Sequence, residues 1–151
     1  MTEAKRIEKI SVRSLVEFLL RSGDLDNRGG GWADKEAMQK GSRIHRKLQK
    51  RMGGSYQAEV PLRFEKEYET FFLVLEGRAD GIFSDHEGMV IDEIKGVYQR
   101  VDLLEEPVPV HLAQAKCYAY IYALQQNLDQ IRVQMTYCNL DTEELRRFML
   151  N

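Results

Sequence analysis

Asp80, Glu93 and Lys95 are the residues whose types and spacing offer the most chemistry. They stand in E-G-R-A-D-G-I, residues 76–82, and D-E-I-K, residues 92–95. Two strand-like runs, about 69–83 and 89–97, flank a polar turn and should form a hairpin. A turn over residues 85–88 that pairs Ser84 with Met89 sets Asp80 opposite Glu93, with Cβ atoms about 4.5–5.5 Å apart. Two carboxylates that close repel unless one holds a proton or a cation lies between them. A divalent hard cation is the economical answer, because it prefers carboxylate oxygens. Strand alternation puts Lys95 on the side of Glu93 and Ile94 on the other, so the amine reaches the same site. A cation there can orient a water or stabilise the charge of a pentavalent phosphorane. Asp92 points away by the same alternation. An ordinary hairpin with solvated charges also fits an E-x-K triplet. Against it stand Val90, Ile91 and Ile94, which mark a core strand where acids are unusual.

These groups need elements to hold them. Residues 33–52 read as a helix ended by Gly53-Gly54. On it Gly41, His45, Leu48 and Met52 share a face, so His45 points inward. It is either a satisfied core histidine or, if this helix packs over the hairpin, a metal ligand. Arg43, Arg46, Lys47, Lys50 and Arg51 spread around the remaining surface. They form the chain's concentrated positive patch, which reads as a solvated face or as a phosphate-backbone contact. A later helix, residues 110–128, carries Gln114 and Tyr118 at i and i+4, hence on one face. That pair is a polar patch or the edge of a cleft, with Ala113, Cys117, Tyr120 and Leu124 expected to pack the core.

The remaining elements follow from pattern. Ser11 caps a first helix over residues 11–20, with Val12, Leu15, Val16, Leu19 and Leu20 as its apolar stripe. Residues 23–32, with four glycines, read as a loop. Strands are expected over 57–64 and 131–140, besides the hairpin. The passage from the third strand through the 110–128 helix to the last strand should be a parallel, right-handed crossover. The expected fold is α/β, with a mixed sheet of about four to five strands flanked by helices.

The chain has 151 residues, 43% apolar and 30% charged, which fits one globular domain over 1–151. No stretch reaches the roughly 20 apolar residues of a membrane span, and residues 1–10 are too charged for a signal peptide. The expected location is cytoplasmic, with no membrane partner. A net charge of −2 gives no global support for nucleic-acid binding, so such a surface must be local. Cys117 and Cys138 are expected as reduced thiols in apolar surroundings.

Four motifs in this order, G-S-R-I-H around His45, E-G-R-A-D-G-I, D-E-I-K and Q-A-K-C-Y at residues 114–118, resemble the PD-(D/E)XK nuclease superfamily, in particular its RecB-like exonuclease branch. The resemblance covers residues 11–140. It implies a restriction-endonuclease-like core and a DNA exonuclease active in repair or processing. It implies that His45, Asp80, Glu93 and the Ile94 carbonyl hold Mg2+ or Mn2+, and that Lys95 positions or activates water. Gln114 and Tyr118 match a Q-x-x-x-Y motif, implied to lie beside the metal and contact substrate. Two cysteines cannot supply the four ligands of the iron–sulfur cluster some relatives carry, so none is expected. Relatives are often joined to helicase domains, and this chain reads as such a nuclease module. The competing readings are a structure-specific or RNA-directed endonuclease of the same fold, and a catalytically silent nucleic-acid-binding module.

Overall fold

A computed structural model describes residues 5–20 and 31–151. Its elements are β1 (Arg6–Ser11), α1 (Val12–Leu19), α2 (Gly31–Arg51), β2 (Gln57–Glu67), β3 (Phe71–Asp85), β4 (Gly88–Val97), a 3-10 turn at Val101–Leu103, α3 (Pro109–Gln126), β5 (Arg132–Asn139) and β6 (Leu145–Leu150). The fold is α/β: a mixed six-stranded sheet flanked by helices, ordered β1-β3-β4-β5-β6, with β2 also paired to β3.

The hairpin forms in the expected register, from Asp85 opposite Gly88 through Ser84 opposite Met89 to Gly81 opposite Asp92. β4 and β5 run parallel, with α3 as their connection. The sheet exceeds the expected four to five strands because β1 and β6 carry no clear pattern of their own. β1 lies parallel to β3, and Ile7 on it is 68% exposed. β6 pairs antiparallel with β5 through residues that are mostly half-buried or exposed. Such edge strands lack the apolar alternation that signals a half-buried strand.

The first helix is shorter than expected. Ser11 caps it, its hydroxyl accepting from Ser14 N–H at 3.0 Å, and Val12 and Val16 are buried, but Leu19 and Leu20 are exposed. The loop expected over residues 23–32 lies outside the described residues, except that Gly31 and Trp32 already belong to α2.

Alternation along β4 sends its side chains to two layers. Ile91 joins the main core, where α1 and α3 contribute Val16, Ala115, Tyr118, Ala119 and Ile121. Ile94 meets Ile44 and Leu48 of α2, with Cys138 and Leu140, in a second cluster on the other face. Helices on opposite faces thus cover one strand, which explains its near-continuous apolar run. Asp92, pointing to the α2 side, is buried yet satisfied: it accepts from Tyr56 Oη at 2.7 Å, Thr136 Oγ1 at 2.7 Å and Gln134 Nε2 at 3.2 Å. Burial and the Asp92 carboxylate push the Tyr56 phenol well above its ordinary value.

Candidate active site

The β3–β4 ladder stops at Gly81 and Asp92, one step short of Asp80 and Glu93. From there β3 turns to β1, which pairs with residues 71–76. The strands therefore part in a fork, and the Asp80 carboxylate fills it. Its Oδ2 accepts from Ile94 N–H at 2.7 Å, replacing the missing ladder bond. The backbone is also irregular on the other side. Opposite Asp80 on β2, Glu59 adopts a positive φ of 55°, and Gln49 Nε2 of α2 donates to the Asp80 carbonyl at 2.8 Å and to Glu59 Oε2 at 3.2 Å. Backbone held in this sparsely populated region clusters at functional sites in proteins.

Because the sheet is open at the fork, groups from both faces converge there. From the α2 side, His45 Nδ1 lies 3.5 Å from Asp80 Oδ1. Among the described side chains of α2, Ile44 and Leu48 are buried; they seat the helix on Ile94 and leave His45 half-buried at the rim. The helix does pack over the hairpin, the condition for His45 to be a ligand candidate. From the α3 side come Glu93, Lys95 and Gln114. Lys95 Nζ lies 3.3 Å from Glu93 Oε2 and donates to Gln114 Oε1 at 3.1 Å. Gln114 Nε2 donates to Tyr118 Oη at 2.9 Å. A polar chain thus runs from Lys95 on β4 through Gln114 to Tyr118 on α3. Gly77 makes room for it, since a Cβ there would sit 2.4 Å from Tyr118 Cε1.

Glu93 is 2% exposed, and its Oε1 is buried without a hydrogen-bond partner. Burial first, and the Asp80 carboxylate second, hold Glu93 well above the carboxylate range, against the pull of Lys95. Burial raises Asp80 as well, opposed by His45 and the Ile94 N–H. Two such groups repel each other unless one holds a proton or a cation compensates them. Among the described residues, no three His, Cys, Asp or Glu side chains are gathered closely enough to enclose a metal as they stand. The donor set is still of the right kind. Asp80 Oδ1 and the His45 imidazole, 3.5 Å apart, and the orphaned Glu93 Oε1 are groups that suit a hard divalent cation.

Several expectations require correction. Tyr118, expected against DNA, is 4% exposed and packs in the core. Its hydroxyl is the part that faces the site. Its side of α3, with Ala115, Ala119 and Ile121, is the core face, whereas Tyr120 and Leu124, expected inside, are exposed. A 3.6-residue period fits several rotations on so apolar a helix. In the basic patch, Arg43, Arg46, Lys50 and Arg51 are exposed, but Lys47 bonds Glu143 at 2.6 Å on the loop before β6. Cys117 and Cys138 are both free thiols.

Sequence reading missed Gln49, Gly77 and His111. Gln49 stands four residues after His45, so helix spacing signalled that it shares that face. His111 precedes Gln114 by one helical turn. Tyr137 Oη accepts from Val108 N–H at 2.9 Å and shares a hydrogen bond with His111 Nδ1 at 3.0 Å. Burial, with Lys95 and Arg13 nearby, lowers the His111 pKa to about 4, leaving the ring neutral. A hollow of about 980 Å³ between α3 and β5, bordered by Met89, Tyr120, Leu124 and Arg132, contains none of these site residues.

No family model matches the sequence, and no curated protein matches it. Among solved structures, one described as "Crystal structure of SSO0001" is similar, with a TM-score of 0.65 and 18% identity over 99% of this chain and 70% of that one. At that identity the likeness is one of fold alone.

Proposed function

We propose that this chain is a divalent-metal-dependent deoxyribonuclease, an exonuclease that hydrolyses DNA phosphodiester bonds on a restriction-endonuclease-like core. The observation that carries the reading is the buried Glu93 carboxyl, its Oε1 without a hydrogen-bond partner, interacting electrostatically with Asp80, which is held against β4 by the Ile94 N–H. A buried acceptor without a donor costs about 1–3 kcal/mol, so it is retained where something else compensates it. Asp80, Glu93 and His45 are the side chains that would hold Mg2+ or Mn2+, joined by the Ile94 carbonyl in the resemblance. Bound there, the cation would lower the pKa of a water and polarise the scissile phosphate.

The chain's own groups supply the rest. Lys95 directs its ammonium into the fork, where it stabilises charge developing on the phosphorus centre. Gln114 accepts from that ammonium and fixes its direction. Tyr118 fixes Gln114 in turn. Arg43, Arg46 and Lys50 on α2 present exposed positive charge for the DNA backbone, on the same helix as His45. The proposed partners are DNA and, by the resemblance, a helicase domain in the same chain or complex.

The test is cleavage of end-labelled single- and double-stranded DNA in Mn2+, Mg2+ or EDTA, with circular DNA and RNA as controls. Metal-dependent release of nucleotides from ends supports the reading. Cleavage of circles or RNA instead moves it to an endonuclease. No cleavage with any substrate, together with no Mn2+ binding, sinks it.

A further inference from the structure

The geometry points to a phosphate-binding subsite at Arg78, in the groove that opens from Asp80 along β2 and β3. It rests on the nuclease reading and deepens it, because its ligand is a phosphodiester of the DNA strand beside the scissile one. The groove encloses about 690 Å³, and Ser11, Arg63, Glu76, Arg78, Asp80 and Gln125 line it. Arg78 precedes Asp80 by two residues, about 6.6 Å along an extended strand.

Three observations single out Arg78. Its side chain is exposed and makes no hydrogen bond or ion pair among the described residues. The other groove cation, Arg63, is held by Glu65 at 2.6 Å and Glu76 at 3.2 Å. The acids beside Arg78 are already engaged: Glu76 faces Lys9 at 3.3 Å as well as Arg63, and Glu59 accepts from Gln49. Arg78 therefore keeps a guanidinium without an ion-pair partner among the described residues, in a groove it shares with Arg63 and with the acids Glu59, Glu76 and Asp80. Its backbone is also held in the β2–β3 ladder, opposite Pro61. A planar fork on a fixed strand segment suits bidentate contact with a phosphate.

Arg78 lies on the strand that carries Asp80, whereas the exposed charges of α2 lie on a separate element. A phosphate next to the cut must be placed accurately if the scissile bond is to meet the fork, and rigid elements place groups more precisely than loops do. Arg78 is a positioning residue in this scheme, and the reaction itself occurs at the fork.

The experiment compares Arg78→Ala, Arg78→Lys and Arg78→Glu with the unchanged protein. Binding of a fluorescently labelled single-stranded DNA oligonucleotide is measured in EDTA across a salt series, and Mn2+ binding is measured separately by calorimetry. Arg78→Ala should weaken DNA binding about tenfold and lower the salt slope by about one unit, with Mn2+ affinity and melting temperature retained. Arg78→Lys should restore the slope but only part of the affinity. Unchanged affinity and slope in both Arg78→Ala and Arg78→Glu overturn the subsite while leaving the nuclease reading in place. If the unchanged protein neither binds Mn2+ nor cleaves DNA, the nuclease reading fails, whereas an altered salt slope in Arg78→Ala still supports a phosphate site. If the unchanged protein does not bind DNA, the subsite is overturned as well.

Discussion

Asp80 Oδ2 and the Ile94 N–H meet at 2.7 Å where the β3–β4 ladder has already ended. A side chain thereby takes the place of a strand, and the carboxylate is held against β4 next to Glu93. The fork, the buried acids and the approach of His45 all depend on that substitution of one acceptor for another.

Glu93→Gln should stabilise the metal-free domain at neutral pH. Glu93 is raised on folding, so its contribution to stability is present below the ordinary carboxylate pKa near 4.5 and is lost as pH rises through the raised value. The melting temperature in EDTA should fall with rising pH above that range and fall less in Glu93→Gln. The gain at pH 7 should be about 1–3 kcal/mol, the cost of a buried group left without a partner. The variant should also lose the thermal shift that Mn2+ gives the unchanged protein. An identical pH profile in both proteins would show that the carboxyl is not strained.

Lys95→Ala should bind Mn2+ and DNA nearly normally and cut slowly, by on the order of 10²–10³ in rate. A group that acts in the transition state lowers kcat and leaves KM nearly unchanged. Lys95→Arg should also be poor, because a planar fork cannot replace a compact ammonium 3.3 Å from Glu93. Single-turnover cleavage beside equilibrium binding checks both. Near-normal cutting by Lys95→Ala removes the residue from the chemical step.

Gly77→Ala should displace Tyr118. The added Cβ would lie 2.4 Å from Cε1, so the ring must move, at a cost of about 1–3 kcal/mol. Tyr118→Leu in the Gly77→Ala background should recover part of that stability, giving a coupling in a double-mutant cycle. Additive effects in chemical denaturation would mean that the two residues do not meet. Tyr118→Phe, which keeps the ring and loses the hydroxyl, should reduce kcat more than stability.

His111 should remain neutral throughout the working pH range. Its pKa is lowered to about 4 by burial and by Lys95, so its contribution is present above the unfolded value near 6.5 and is lost as pH falls through about 4. It contributes no more than about 3 kcal/mol at neutral pH. An NMR titration of the imidazole checks this, and a midpoint near 6.5 would refute it.

Charge reversal at Arg43 and Arg46 should weaken DNA binding and flatten its salt dependence by about one unit for each phosphate that is no longer neutralised. Reversal at Lys47 should change it less, because that amine already bonds Glu143. Fluorescence anisotropy across a salt series distinguishes the two cases. Unchanged slopes in the double variant would make the patch an ordinary solvated face.

Short-range patterns along the chain were enough for some of these relationships. Alternating apolar residues around a short polar turn set the register of the hairpin, and the same register settled which of Asp92 and Glu93 faces Lys95. Helical spacing put Gln114 beside Tyr118, and their side chains are bonded. Whatever depends on where elements meet came from packing instead. The exposed edge strands β1 and β6 form because β3 and β5 offer unpaired backbone, a cause that lies outside their own residues. The rotation of α3 was set by which side the sheet could cover, so Tyr118 went in and Tyr120 out. The fork follows from β1 and β4 sharing one edge of β3, and that sharing brings His45 from one face to the carboxylates that Lys95 approaches from the other. Periodicity encodes the direction of a side chain from its own element; the distance between side chains on different elements is set only by packing.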